Sequence, residues 1–164
     1  MSADGTLEHR DGKDVLRFER RLKHPVERVW SALTDPDQLS AWWGDADLEL
    51  VEGGRFVMRW RNTDDEGNRA VMTATITRLE PPTLLETSGD LHGDLRWELR
   101  PDGEGTLLTL TSTLELPEEF RTQVLAGWHW HLDALAAALE GERADLEALP
   151  GWPEVHERYV TRVG

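Results

Sequence analysis

The chain has 164 residues, which is enough for one domain with a full core. It carries 32 acidic and 18 basic residues, a formal charge of -14, and such a surface repels phosphate backbones, so nucleic acid is not expected as a partner. Cysteine is absent, which excludes disulfides, thiolate zinc sites and cysteine nucleophiles. A polar N-terminus and the lack of any run of about 20 apolar residues predict a cytoplasmic protein without membrane insertion.

The first part of the chain predicts one strand and two short helices. Residues 1–13 are polar and predict a flexible N-terminal arm. From residue 14 to residue 22 apolar and charged residues alternate, which is typical of a strand with one buried face. Pro25 fits the first turn of a helix, and Asp35 fits the N-cap of a second short helix that leads to a pair of tryptophans.

The middle of the chain predicts an antiparallel sheet. Between residues 48 and 116, runs with an apolar residue at every second position are separated by turn-forming segments. Short turns pair successive strands antiparallel, so the sheet is predicted to hold about six to seven strands. A sheet of this size must curl.

The segment 117–141 predicts one long helix of roughly 22–24 residues. Pro117 and the acidic residues after it suit a helix start, and Gly141 suits the position just beyond its end. Apolar residues recur at helical spacing on one face, which the sheet is predicted to wrap. This stripe consists of Val124, Trp128, His131, Leu132, Leu135, Ala138 and Leu139.

The outer side of this helix offers a second contact surface. Trp130 lies opposite the apolar stripe, where it either contacts the C-terminal residues 142–164 or forms a homodimer contact. In that C-terminal tail, Trp152, Val155 and Tyr159 have the spacing to pack on the helix. The tail is therefore predicted to pack on the domain formed by residues 14–141.

Several segments, found in the same order, resemble the SRPBCC or START-like superfamily: RFERRLKHPVERVWSALTDPDQLSAWW, EGGRF, RLEPPTLL, GTLLTLT and GWHWHLDALAAAL. Within it, residues 14–141 are most similar to the family named after the activator of the heat-shock protein 90 ATPase. The resemblance implies an α+β helix-grip fold, in which a curved antiparallel sheet surrounds a long C-terminal helix and a deep cavity. Members of the family are mostly small-ligand binders or uncharacterised, and the wider superfamily includes some cyclases, aromatases and hydrolases. Many relatives carry a histidine where this chain has Ser112.

The eight tryptophans are the most unusual feature of the composition. Trp60, Trp97 and Trp128 are predicted to point from the sheet and the helix into one space, with Trp43 at its mouth. These rings either fill the core or line a pocket for a small hydrophobic ligand. The cavity that the resemblance implies favours binding, and we expect the ligand to contact Trp43, Met58, Trp60, Met72, Trp97, Trp128, His131 and Leu135.

Catalysis and protein interaction remain as alternative functions. No catalytic, phosphate-binding or dinucleotide motif occurs, and His129 and His131 point in different directions on a helix, so neither a cofactor nor a metal is expected. A cyclase- or hydrolase-like enzyme would use His131 with Glu86, provided that Glu86 faces the cavity rather than solvent. Burial in an apolar cavity would lower the pKa of His131, whereas a nearby ionised Glu86 would raise it. A chaperone-linked interaction module rests on the family name alone.

Overall fold

One antiparallel sheet forms the body of the fold. In the computed structural model, which describes residues 4–163, the sheet has eight strands in the spatial order β1-β2-β8-β7-β6-β5-β4-β3. The sheet is curved and open, with β1 and β3 at its two edges. The strands are β1 (Thr6–Arg10), β2 (Lys13–Leu22), β3 (Asp45–Leu48), β4 (Arg55–Thr63), β5 (Arg69–Glu80), β6 (Leu84–Gly89), β7 (Asp94–Asp102) and β8 (Gly105–Leu114).

The first strand corrects the prediction of a flexible arm over residues 1–13. β1 pairs antiparallel with β2 through a tight turn at Asp11 and Gly12, whose φ angles are 51° and 81°. The sequence pattern missed it because β1 is an exposed, charged edge strand, which has no need of a buried apolar face. It raises the number of strands to eight, while residues 1–3 lie outside the described residues.

Four helices accompany the sheet in the described residues: α1 (Val26–Thr34), α2 (Pro36–Leu39), α3 (Arg121–Leu139) and α4 (Trp152–Val163). The predicted cap of α2 is confirmed, since the Asp35 carboxylate accepts a hydrogen bond from the Asp37 N–H at 3.0 Å. The predicted long helix is also present, although its first turn, Glu118–Phe120, is 3₁₀. Gly141 has a φ of 92° just beyond its end, as expected for a closing glycine. No helix in the described range combines the length and the apolar character that crossing a bilayer requires.

Helix α3 is buried on more than the predicted stripe, because the C-terminal tail covers its outer side. The indole N–H of Trp130 donates to the Pro150 carbonyl oxygen at 2.8 Å. This contact decides between the two alternatives for Trp130 in favour of the tail. His129 is also buried, and its Nδ1 lies 2.8 Å from the hydroxyl oxygen of Tyr159 in α4.

The N-terminal segment is joined to α4. The Gly5 N–H donates to the Tyr159 hydroxyl at 2.8 Å. The Asp4 carboxylate forms ion pairs with Arg158 at 2.7 Å and Arg162 at 3.1 Å. The N-terminal residues of the described chain therefore hold α4 in place.

Candidate functional site

Four tryptophans meet between α3 and the sheet. The ring centroid of Trp43 lies 5.3 Å from that of Trp128, 5.9 Å from that of Trp97 and 6.0 Å from that of Trp60. These separations lie in the range where aromatic rings attract one another, and each of the four side chains is at most 9% exposed. The rings converge as the sequence analysis expected, and they fill much of the core at this point.

A pocket of about 530 Å³ opens beside this tryptophan cluster. Its walls come from α3 and the segment before it, from β4 and β5, from the segment between α2 and β3, from the loop between β6 and β7, and from the C-terminal tail. The lining residues are Trp43, Trp60, Asn62, Ala70, Leu91, His92, Leu116, Phe120, Gln123, Val124, Gly127, Trp128, His131, Leu149 and Trp152.

The eight residues expected to contact a ligand divide into two groups. Four of them line the pocket: Trp43, Trp60, Trp128 and His131. The other four are buried in the core and do not line it: Met58, Met72, Trp97 and Leu135. Helix and strand periodicity gives the side on which a residue lies but not its distance from an opening, so it placed both groups together.

Four buried polar atoms of pocket-lining side chains have no hydrogen-bond partner among the described residues: Nε1 of Trp43, Nε1 of Trp128, Oδ1 of Asn62 and Nδ1 of His92. By contrast, the indole N–H of Trp42, outside the pocket lining, donates to the Ala32 carbonyl oxygen at 2.9 Å. A buried polar group without a partner costs about 1–3 kcal/mol. The pocket lining therefore contains several polar atoms that could form hydrogen bonds with a bound molecule.

One hydrogen bond sets the tautomer of the pocket-lining His131. Its Nδ1 lies 2.8 Å from the Trp42 carbonyl oxygen, and since a carbonyl oxygen only accepts, Nδ1 carries the proton. Nε2 is then left with its lone pair. Burial lowers the pKa of His131 to about 4 against the opposing effect of that hydrogen bond, so the ring is neutral at pH 7. The pKa is lowered because burial removes the hydration of the charged ring.

His92 is a second pocket histidine, which the sequence analysis missed. Its ring centroid lies 5.0 Å from that of Trp128 and 5.5 Å from that of Trp60. Burial, together with the nearby His131, lowers the pKa of His92 to about 4. The Ser112 hydroxyl donates to the His92 carbonyl oxygen at 3.1 Å, so Ser112 supports the loop that carries this histidine.

Glu86 lies apart from the pocket. Its carboxylate forms an ion pair with Arg96 at 2.5 Å, and both side chains line a separate cavity of about 470 Å³. In β6 the neighbours Leu85 and Thr87 are buried, so Glu86 points to the opposite face of the sheet. Of the two orientations considered for Glu86, the structure shows the outward one, and the proposed pairing of Glu86 with His131 is wrong.

Residues 23–140 match the family described as Activator of Hsp90 ATPase homolog 1-like protein. The chain belongs to this family. Its fold is similar to that of CalU16 from Micromonospora echinospora, with 26% identity and a TM-score of 0.74 over 97% of this chain and 94% of CalU16. The AHSA1-like protein from Aeromonas hydrophila is 27% identical, with a TM-score of 0.66 over 77% of this chain and 92% of that one.

A third solved structure supports the fold alone. The conserved protein of unknown function EF2215 from Enterococcus faecalis is 22% identical, with a TM-score of 0.73 over 97% of this chain and 90% of that one. Among curated proteins, none matches this chain. The Activator of Hsp90 ATPase homolog 1-like family and its helix-grip fold thus agree with the resemblance seen in the sequence.

Proposed function

We propose that this protein binds a small, uncharged and largely apolar molecule in the pocket beside the tryptophan cluster. The observation that carries the proposal is the set of buried polar atoms without partners in the lining. Two of them are the N–H donors of Trp43 and Trp128, which suit a ligand with a carbonyl, ether or hydroxyl oxygen. The volume of about 530 Å³ lies within the range of small-molecule sites.

The charge of the lining favours a neutral ligand. The lining, which the described residues form, contains no Asp, Glu, Lys or Arg. Burial keeps His92 and His131 uncharged at pH 7, because it lowers both pKa values to about 4. An ionised ligand would lose its hydration without gaining a countercharge, which is unfavourable.

Ligand entry should move the indole rings. The partnerless Nε1 atoms of Trp43 and Trp128 have almost no solvent-accessible surface, although their side chains line the pocket. A ligand oxygen therefore pairs with them only when the rings rotate slightly. Such a rotation changes the surroundings of both indoles, so intrinsic fluorescence reports binding.

The two alternative functions receive less support. A catalytic role for His131 lacks the Glu86 partner, and a pKa of about 4 makes His131 a weak base at neutral pH. The interaction function comes from the family description, which names an Hsp90 ATPase activator. It becomes the leading hypothesis if the pocket binds no small molecule.

The proposal is tested with matched pairs of aromatic compounds. Each pair contains an uncharged alcohol and the carboxylate of the same ring system, beginning with 2-naphthalenemethanol and 2-naphthoate. We expect the alcohols to raise the melting temperature and change the indole fluorescence, since a ligand at 100 times its Kd stabilises by about 2.7 kcal/mol. Carboxylates that bind as tightly as the alcohols would contradict an uncharged ligand. No response to any compound would contradict binding in the pocket.

Gly127 offers a way to block the pocket without disturbing the fold. It lies inside α3 and lines the pocket, and a Cβ added there meets no atom within 4 Å. We expect Gly127→Leu to extend its side chain into the pocket and weaken binding of 2-naphthalenemethanol at least about tenfold. Isothermal titration of the purified variant measures this change.

Gly127→Ala is the matched control. Alanine is favoured over glycine inside a helix, so this variant should gain up to about 1 kcal/mol in the free energy of unfolding. Its binding should stay close to that of the wild type because one methyl group takes little of the volume. If Gly127→Leu binds the alcohol as well as Gly127→Ala does, the ligand site lies elsewhere.

A further inference from the structure

We infer that the C-terminal tail, residues 142–163, sets the size of ligand that the pocket accepts, with Trp152 as the limiting wall. This inference rests on the proposed function and goes beyond it. Leu149 and Trp152 both line the pocket, yet both lie outside residues 23–140, which match the family. CalU16 aligns with 97% of this chain, so its alignment takes in most of the tail.

The turn that brings the tail to the pocket is tightly held. Leu149 has a φ of 47°, which is uncommon for a residue other than glycine. Its N–H donates to the Asp145 carbonyl oxygen at 3.0 Å, and its own carbonyl oxygen accepts from the Trp152 N–H at 3.1 Å. Between them, Pro150 accepts the hydrogen bond from the Trp130 indole. The backbone that carries both lining residues is thus tied to α3.

The orientation of the Trp152 ring is also determined by α3. The ring stacks on that of His156, one turn further along α4, with centroids 4.8 Å apart and planes 19° from parallel. His156 Nε2 lies 3.2 Å from the Thr122 hydroxyl of α3. Thr122 directly precedes the pocket-lining Gln123. The indole is therefore a positioned wall of the pocket.

The far end of α4 is anchored as well. Tyr159 is buried between His129 and the Gly5 N–H, and Asp4 forms ion pairs with Arg158 before it and Arg162 after it. Because α4 is fixed at both ends, Trp152 cannot move aside without breaking several contacts. A ligand must fit the space that this ring leaves.

The test compares ligands of increasing size in four proteins. The probes are 2-naphthalenemethanol, 9-anthracenemethanol and 1-pyrenemethanol, which are uncharged alcohols with progressively more fused rings. The proteins are the wild type, Trp152→Ala, Trp152→Phe and Val160→Ala. Val160 is a matched control because it lies on α4, is 40% exposed and does not line the pocket. Indole fluorescence and isothermal titration give the Kd values.

We expect the wild type to favour the smallest probe and Trp152→Ala to lose that preference. The ratio of the pyrene Kd to the naphthalene Kd should fall about tenfold or more, the scale of one aromatic contact. Trp152→Phe, which keeps an aromatic ring, should show an intermediate ratio, and it serves as the test if Trp152→Ala does not fold. Val160→Ala should match the wild type.

The two proposals fail in different ways. If the wild type binds the probes and both Trp152 variants leave the ratio unchanged, the inference about the tail is overturned while binding in the pocket stands. If the wild type binds none of the probes, the proposed function fails and the inference about the tail fails with it.

Discussion

Replacement of Trp128 by alanine is expected to lower the free energy of unfolding by about 3–5 kcal/mol. The side chain is only 3% exposed, and its ring packs against those of Trp43, Trp97 and His92. Removing this ring leaves a cavity in the middle of the tryptophan cluster, which the closely packed neighbouring rings cannot fill. Urea denaturation, with the midpoint and the m-value compared between variant and wild type, measures the loss.

Trp152→Ala is the control for this prediction. Trp152 is half-buried at the edge of the pocket, so truncating it should cost clearly less than truncating Trp128. Equal losses in the free energy of unfolding would mean that Trp128, inside the cluster, stabilises the fold no more than Trp152 at the edge of the pocket. A change below about 1 kcal/mol for Trp128→Ala would contradict its central position, because truncated core tryptophans cost more.

Acidification from pH 7 to pH 4 is expected to destabilise the protein. His131 has a pKa of about 4 in the folded state and about 6.5 in an unfolded chain, so below pH 6.5 the unfolded state binds more protons. The stabilisation that depends on a neutral His131 is therefore fully present above pH 6.5. It is lost as the pH falls towards 4 and changes little below that. His131 alone accounts for about 3 kcal/mol of the loss. His92 and His129, whose pKa values burial also lowers, act in the same direction.

His131→Gln isolates this contribution. A glutamine amide retains a donor for the Trp42 carbonyl oxygen but does not titrate, so the loss between pH 6.5 and pH 4 should shrink by about 3 kcal/mol. Free energies of unfolding measured across this range decide. An unchanged slope in His131→Gln would show that His131 accepts a proton in the fold without cost.

Asp14 does not interfere with this range. Burial raises the pKa of its carboxyl. The hydrogen bonds from His9 and the Leu116 N–H and the nearby Arg121 outweigh this effect, so that the pKa lies below the ordinary value of 3.8. A lowered acid pKa means that its stabilisation is present above the unfolded value and is lost as the pH falls through the folded value. That loss begins where the loss from the histidines is nearly complete.

Most of the fold was predictable because the buried faces of its elements repeat in the sequence. Alternation in β2, β7 and β8 follows burial closely, and each pattern marks the face that packs in the core. β1 lacked this signal because it is an exposed edge strand. The burial of Trp130 and His129 was only partly foreseeable, since it depends on how the tail lies on α3.

The pocket was harder to predict than the core around it. Trp60 and Met58 share one face of β4, yet only Trp60 reaches the opening. His92 comes from a loop and Trp152 from the tail, and their approach depends on contacts between residues far apart in sequence. The pattern of β6 was compatible with either face of the strand pointing inward. The ion pair of Glu86 with Arg96 of the neighbouring strand β7 lies on the outer face, which the sequence of β6 alone does not reveal.

The contacts of Asp4 and Gly5 with α4 have a consequence for the order of assembly. Gly5 and Tyr159 are separated by 154 positions, so their hydrogen bond closes nearly the whole chain into a loop. Such long-range closure has a high entropic cost and is expected late in folding. During synthesis the N-terminal residues leave the ribosome well before α4 does. The pocket would therefore acquire its Trp152 wall only in the last stage of folding, after the sheet and α3 have closed around the tryptophans.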